Sequence, residues 1–160
     1  MVNRSEGIST YNAETYIQSL AQNGTNGVVV LNDPFGTAGD EAIVAALRSR
    51  YSSGQYRFAL GTSAPDWNGY TIVFGFGEPV GNQTQCTAAE ASRTTGFSGQ
   101  TLLIGDYCYG TRVVSEATGY TRALSGPDDP LLAKLAADVF AEMVINRPPN
   151  GSDSSTVTTQ

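Results

Sequence analysis

The chain has 160 residues, 40% of them hydrophobic and 9% aromatic, which suffices for one folded domain with a real core. Charged residues make up 15%, the net charge is −6, Lys134 is the single lysine and the eight arginines are dispersed, so nucleic acid and anionic membrane surfaces are poor partners. There is no histidine, which excludes Ser-His-Asp and Cys-His nucleophile systems and every zinc site that needs imidazole.

Residues 1–10, "MVNRSEGIST", read as an N-terminal arm without the apolar h-region of a signal peptide, and no apolar run reaches the roughly 18 residues of a membrane span. Two readings stay open: a cytosolic protein starting at Met1, or the mature part of an exported one. Ile8, Tyr16, Ile17 and Leu20 fall at helical spacing and predict a helix over 11–22, stopped at Asn23-Gly24. "GVVVLN" is a continuous apolar run, as in a strand covered on both faces. The helix that follows is expected over 39–52, capped by Thr37 or Asp40, with Ile43, Val44, Leu47 and Tyr51 as its buried stripe.

Strand, glycine loop and helix is also the order of a phosphate-binding loop. That chemistry needs a Lys and a hydroxyl at fixed spacing, and "NDPFGTAGDEA" has no Lys. Asp40 and Glu41 stand where an anion would go and already complement the positive helix end. The stretch therefore reads as a turn begun by Asp33-Pro34, with Phe35 folded onto the core.

"YRFAL" (56–60) and "YTIVFGF" (70–76) read as strands, the second placing Tyr70, Ile72, Phe74 and Phe76 on one side. Trp67 and Asn68, in the turn between them, are candidate binding contacts together with Tyr109. Residues 77–100 have little periodicity and read as a long functional loop. "TLLIGDYC" and "RVVSEATGYT" form a hairpin turning at Tyr109-Gly110. Its strands carry Asp106 and Glu116, whose sharing of a face depends on register. The closing helix has Asp129 as N-cap, Pro130 at its first position, and Leu132, Leu135, Ala136, Val139 and Met143 as its stripe. Capping accounts for Asp128-Asp129, no calcium-loop spacing occurs, and neither a metal nor a cofactor is expected. Residues 147–160 read as a disordered tail.

This order predicts one small α/β (or α+β) domain over 11–146: a mixed β-sheet of about five strands packed by two to three helices, with a C-terminal hairpin followed by a helix. Cys86 and Cys108 are too few for a four-ligand zinc site. A structural disulfide and two buried thiols both remain open, the sparse charge and single pair weighing toward the disulfide.

The motifs "VVLNDPFG" and "YCYGTRVVSEATGYTRALSGPDDP", with the closing helix, resemble small alphaproteobacterial envelope lipoproteins of unassigned role. Over about residues 26–146 the element order is similar to the amino-terminal domain of the periplasmic protein of the Tol system and to the lipoprotein activators of penicillin-binding proteins. The resemblance implies an exported periplasmic domain, tethered to the outer membrane by a lipid anchor upstream, that works without catalysis or cofactor by contacting an envelope protein or cell-wall component. This sequence has no lipobox. The expected contact surface is the 77–100 loop, pinned by Cys86 to Cys108, with the 62–69 turn around Trp67. The alternative is a small-molecule or sugar-binding module using an aromatic-lined cleft under the 77–100 loop. A third reading is a carboxylate-dependent hydrolase using Asp106 and Glu116.

Overall fold

The computed structural model describes residues 13–51, 55–79, 85–87, 93–94, 99–145 and 154–158. The N-terminal arm, with Ile8, and most of the 77–100 segment lie outside the described residues. In chain order the elements are α1 (Ala13–Ala21), β1 (Thr25–Leu31), α2 (Gly36–Arg50), β2 (Arg57–Leu60), β3 (Trp67–Phe76), the two-residue strands β4 (Glu78–Pro79) and β5 (Arg93–Thr94), β6 (Gln100–Tyr109), β7 (Arg112–Arg122), α3 (Pro130–Phe140) and β8 (Ser154–Thr158). A π-helical turn, Ala141–Ile145, extends α3.

The domain is mixed α/β, as the element pattern predicts. β1 lies between β2 and β3 and is parallel to both; β6 and β7 then add antiparallel, giving the order β2-β1-β3-β6-β7. The chain leaves β1 through α2, reaches β2, and returns across β1 to begin β3. A connection that reverses its direction along the sheet keeps the same hand only by returning on the opposite face. Gly27 marks that crossing: a Cβ there would stand 2.6 Å from the Gly61 carbonyl oxygen and 3.2 Å from Trp67 Nε1. A side chain at Gly27 would block the 61–66 segment.

All three helices cover one face. Val28, Phe58, Ile72, Phe74, Leu103 and Tyr107 point at them and are buried, with Ile43, Leu47, Leu132, Leu135, Val139 and Met143 packed opposite. The helical stripes predicted for α2 and α3 are the ones buried, because 3.6-residue periodicity lines up one face. Of the α1 stripe, Ile17 is buried, Leu20 is only half-buried, and Ile8 and the Tyr16 side chain lie outside the described residues. Gly105 lets α3 sit close: a Cβ there would lie 2.7 Å from Val139 Cγ1. At the far end Tyr51, Tyr56, Phe58 and Phe140 form a ring cluster, with edge-to-face contacts of Phe140 on Tyr56 at 5.5 Å and on Phe58 at 5.2 Å. The other face carries a smaller cluster of Leu31, Val73 and Cys108, joined by Val29 and Cys86.

α3 starts where its capping chemistry dictates. Asp129 accepts from Leu131 N–H at 3.0 Å, Pro130 takes the first helical position, and Arg122 pairs with the same carboxylate at 2.8 Å. The Arg122 guanidinium, then the Ser125 and Leu131 amides, hold that carboxyl well below the usual range.

Two expectations are corrected. α2 begins at Gly36 rather than 39, after Phe35 and with no side-chain cap, so neither Thr37 nor Asp40 is its N-cap. Asp33 sets the start instead: its Oδ1 accepts from Phe35 N–H at 2.8 Å, and its carbonyl accepts from Gly36 N–H at 3.3 Å. Within the tail read as disordered, Ser154–Thr158 forms β8, parallel to β7 and paired over Glu116–Tyr120. β7 would otherwise end the sheet with a row of unpaired backbone groups, and β8 covers part of that row.

Candidate functional site

Trp67 opens β3 and Tyr109 closes the antiparallel β6, so both stand at one end of the sheet. They are 40% and 51% exposed, two of three large hydrophobic side chains so exposed among the described residues. Trp67 is held by Nε1–H donating to the Tyr70 carbonyl at 2.9 Å, and Tyr109 leans on the Tyr70 ring at 4.9 Å. Tyr70 in turn stacks on buried Tyr107 at 5.2 Å. The rim is thus two exposed aromatics braced by an interior pair.

Cys108 lies beside this rim, paired with Thr71 on β3, and forms a disulfide with Cys86, Cα–Cα 5.6 Å. The segment between β3 and β6 therefore leaves at Gly77, at the opposite end of the sheet, and is pinned near Trp67 and Tyr109. Gln85 fixes it further, donating from Nε2 to the Val73 carbonyl at 3.1 Å and the Ile104 carbonyl at 3.0 Å. Trp67, Tyr109 and the Cys86–Cys108 bridge thus stand toward one end of the sheet, Tyr109 on the helix side against Tyr70 and Trp67 on the side crossed by the 61–66 segment.

Asn68 has another role. Its Nδ2 donates to Asn26 Oδ1 at 3.0 Å and the Leu20 carbonyl at 3.3 Å, and its Oδ1 accepts from Tyr70 N–H at 2.9 Å. Asn26 is fully buried and donates to the carbonyls of Ala21 at 2.8 Å and Arg57 at 3.0 Å, while Tyr107 O–H donates to its Oδ1 at 3.2 Å. These amides tie α1, β1, β2, β3 and β6 together beneath the rim. Burial drives the Tyr107 phenol far above its ordinary range, so it remains a neutral donor.

At the opposite end a hollow of about 230 Å³ opens among Asn32, Pro34, Phe76, Gly77 and Gln100 to Leu102. It lies at the carboxyl ends of β1 and β3, where chain direction along the sheet reverses, the position at which open α/β sheets place ligands. Asn32 is left-handed, with φ 56°, the sole non-glycine residue with positive φ among the described residues. Its Nδ2 donates to the Phe76 carbonyl at 3.1 Å, tying the two strand ends together. The described lining carries no charged side chain.

Between Asn32 and Pro34, Asp33 turns toward α2 and lays its carboxyl over Gly39, beside Asp40. Asp33 Oδ2 and Asp40 Oδ1 are buried with no hydrogen-bond partner among the described residues. Burial, then the neighbouring Asp40 carboxyl, push the Asp33 carboxyl up to about 7, against the lowering effect of Phe35 N–H. Carboxyls occupy the head of α2, in agreement with its reading as a turn.

Asp106 and Glu116 are direct partners across β6 and β7 and so share a face. Asp106 is 1% exposed, which leaves substrate no approach to it. Among the described residues, no cluster of three metal-ligating side chains occurs and no helix is long and apolar enough to cross a membrane. No family model matches this chain, and comparisons with the curated proteins and with solved structures give no match.

Proposed function

We propose that this chain is a non-catalytic domain of the bacterial cell envelope that acts through protein–protein contact, made by the rim of Trp67 and Tyr109 beside the pinned loop. The observation that carries the reading is the exposure of both rings on a braced support. Rigid aromatics give large contact area at low entropic cost and dominate contact energies. The envelope assignment rests on the resemblance and on the Cys86–Cys108 disulfide, which persists in oxidising compartments.

The double variant Trp67→Ala/Tyr109→Ala tests it by affinity capture from the periplasmic and membrane fraction of the source cells. Wild type is expected to retain envelope proteins that the variant binds about 30-fold more weakly or worse. Circular dichroism should stay unchanged, since both side chains lie at the surface. Equal retention by the two, or two free thiols in protein alkylated directly from its own cells, overturns the reading.

The hollow favours a second reading, a small-molecule binder for a neutral ligand in contact with Asn32 and Gln100. A thermal-shift screen with neutral sugars and amides at millimolar concentration checks it. A true ligand at about 100 times its Kd adds roughly 2.7 kcal/mol of stability, and Gln100→Trp should abolish that gain. No shift with any compound removes this reading.

A further inference from the structure

We propose that Asp33 and Asp40 share one proton across the head of α2, and that this proton latches the Asn32–Gly36 loop, one wall of the hollow, against the helix. The inference does not depend on what binds the rim or the hollow.

Ionised carboxylates only accept hydrogen bonds, so two of them facing each other gain nothing and repel. Asp33 nevertheless lays its carboxyl over Gly39, next to Asp40, and one oxygen of each carboxyl is buried with no hydrogen-bond partner among the described residues. A single O–H···O⁻ bond resolves this, and such charge-assisted bonds are short and strong. Gly39 makes the approach possible, because the Asp33 carboxyl fills the space that a Cβ at that position would occupy. The outer oxygen of Asp33 meanwhile accepts from Phe35 N–H, so the carboxyl is fixed on both sides.

The facing groups are few. From α2, Asp40 is the charged group on Asp33; the loop contributes the Phe35 amide. Phe76, Gly77, Gln100, Thr101 and Leu102, which border the loop from β3 and β6, carry no titratable side chain. No cation among these offsets a second negative charge. When the shared proton leaves to solvent, the two carboxylates repel across Gly39. The loop loosens, and Asn32 and Pro34 shift with it.

The sign follows. Below pH about 4 both the folded and the unfolded chain hold the Asp33 proton. As pH rises from there to about 7, the folded state keeps a proton that the unfolded state has lost, so stability falls. Above that, the folded state releases it too and the slope ends.

The test compares wild type with Asp33→Asn, whose amide donates to Asp40 at every pH while its oxygen can still accept from Phe35. Between pH 5 and pH 8 the Tm of wild type should fall by about 5 °C more than that of the variant. The Asp33 carboxyl carbon, followed by NMR in wild type, should titrate near neutrality, and in Asp40→Asn near the ordinary range. Exchange of the Phe35 and Gly36 amides in wild type should accelerate above pH 7 beyond the intrinsic base-catalysed rate. Parallel Tm profiles, or an Asp33 resonance titrating near pH 4 in wild type, overturn the proposal. So does a Tm gain at pH 8 from calcium or magnesium that Asp33→Asn lacks, since a cation would then hold the pair together.

Discussion

Asn26→Leu is expected to cost about 4 kcal/mol and to bring the protein close to unfolding. The substitution preserves approximate volume but strands the carbonyls of Ala21 and Arg57, the Asn68 amide and the Tyr107 hydroxyl, all of which now bond to one buried amide. Each buried polar group left unpaired costs roughly 1–3 kcal/mol, and domains of this size have only about 5–15 kcal/mol in hand. Tyr107→Phe removes a single hydroxyl from the same network and should cost about 1 kcal/mol. Urea unfolding measures both. A Leu variant within about 1 kcal/mol of wild type would mean that water or rearranged side chains satisfy the network.

Loss of the disulfide ranks second. Cys86→Ala/Cys108→Ala should lower stability by about 3 kcal/mol, from the loop-closure entropy returned to the unfolded chain. Cys108 is 1% exposed within the cluster of Leu31 and Val73, so its replacement by Ala also removes packing atoms. Chemical reduction of wild type should produce most of the same loss without that packing term. Protease accessibility within 77–100 should rise in both cases, because the segment would then lose its covalent tie to β6 and rely on contacts such as those of Gln85 with the Val73 and Ile104 carbonyls. A double variant as stable as wild type, with unchanged proteolysis, would show that the bridge constrains nothing beyond what Gln85 already holds. The partner contact proposed for the rim should weaken together with the disulfide, since Cys108 immediately precedes Tyr109 on β6.

The sequence by itself determined the elements whose causes are local. The Asp129-Pro130 start of α3 depends on side chains within a few residues of one another, and it appears where the pattern places it. The helical stripes of α2 and α3 and the alternation from Tyr70 to Phe76 depend only on the periods of helix and strand, and they predict the buried faces. The exposure of Trp67 was expected, although Trp67 opens β3 rather than lying in a turn before a strand that starts at Tyr70. The hairpin was legible from its glycine and flanking strands.

Only the tertiary structure decided the rest, because the causes lie far apart in the chain. Ser154–Thr158 has almost no apolar pattern, and it becomes a strand because β7 offers it an edge. Asn68 looks like a surface contact in its turn; Asn26, 42 residues away, draws its amide inward. Asn26 itself sits in a glycine- and valine-rich strand, where a polar residue of low strand propensity was the one available signal of a buried network. The same holds for Asp33 and Asp40. Seven residues separate them, and what brings their carboxyls together is the early start of α2 and the missing side chain of Gly39. A sequence pattern records which residues prefer an element. It does not record which backbone will come near enough to leave a polar atom needing a partner.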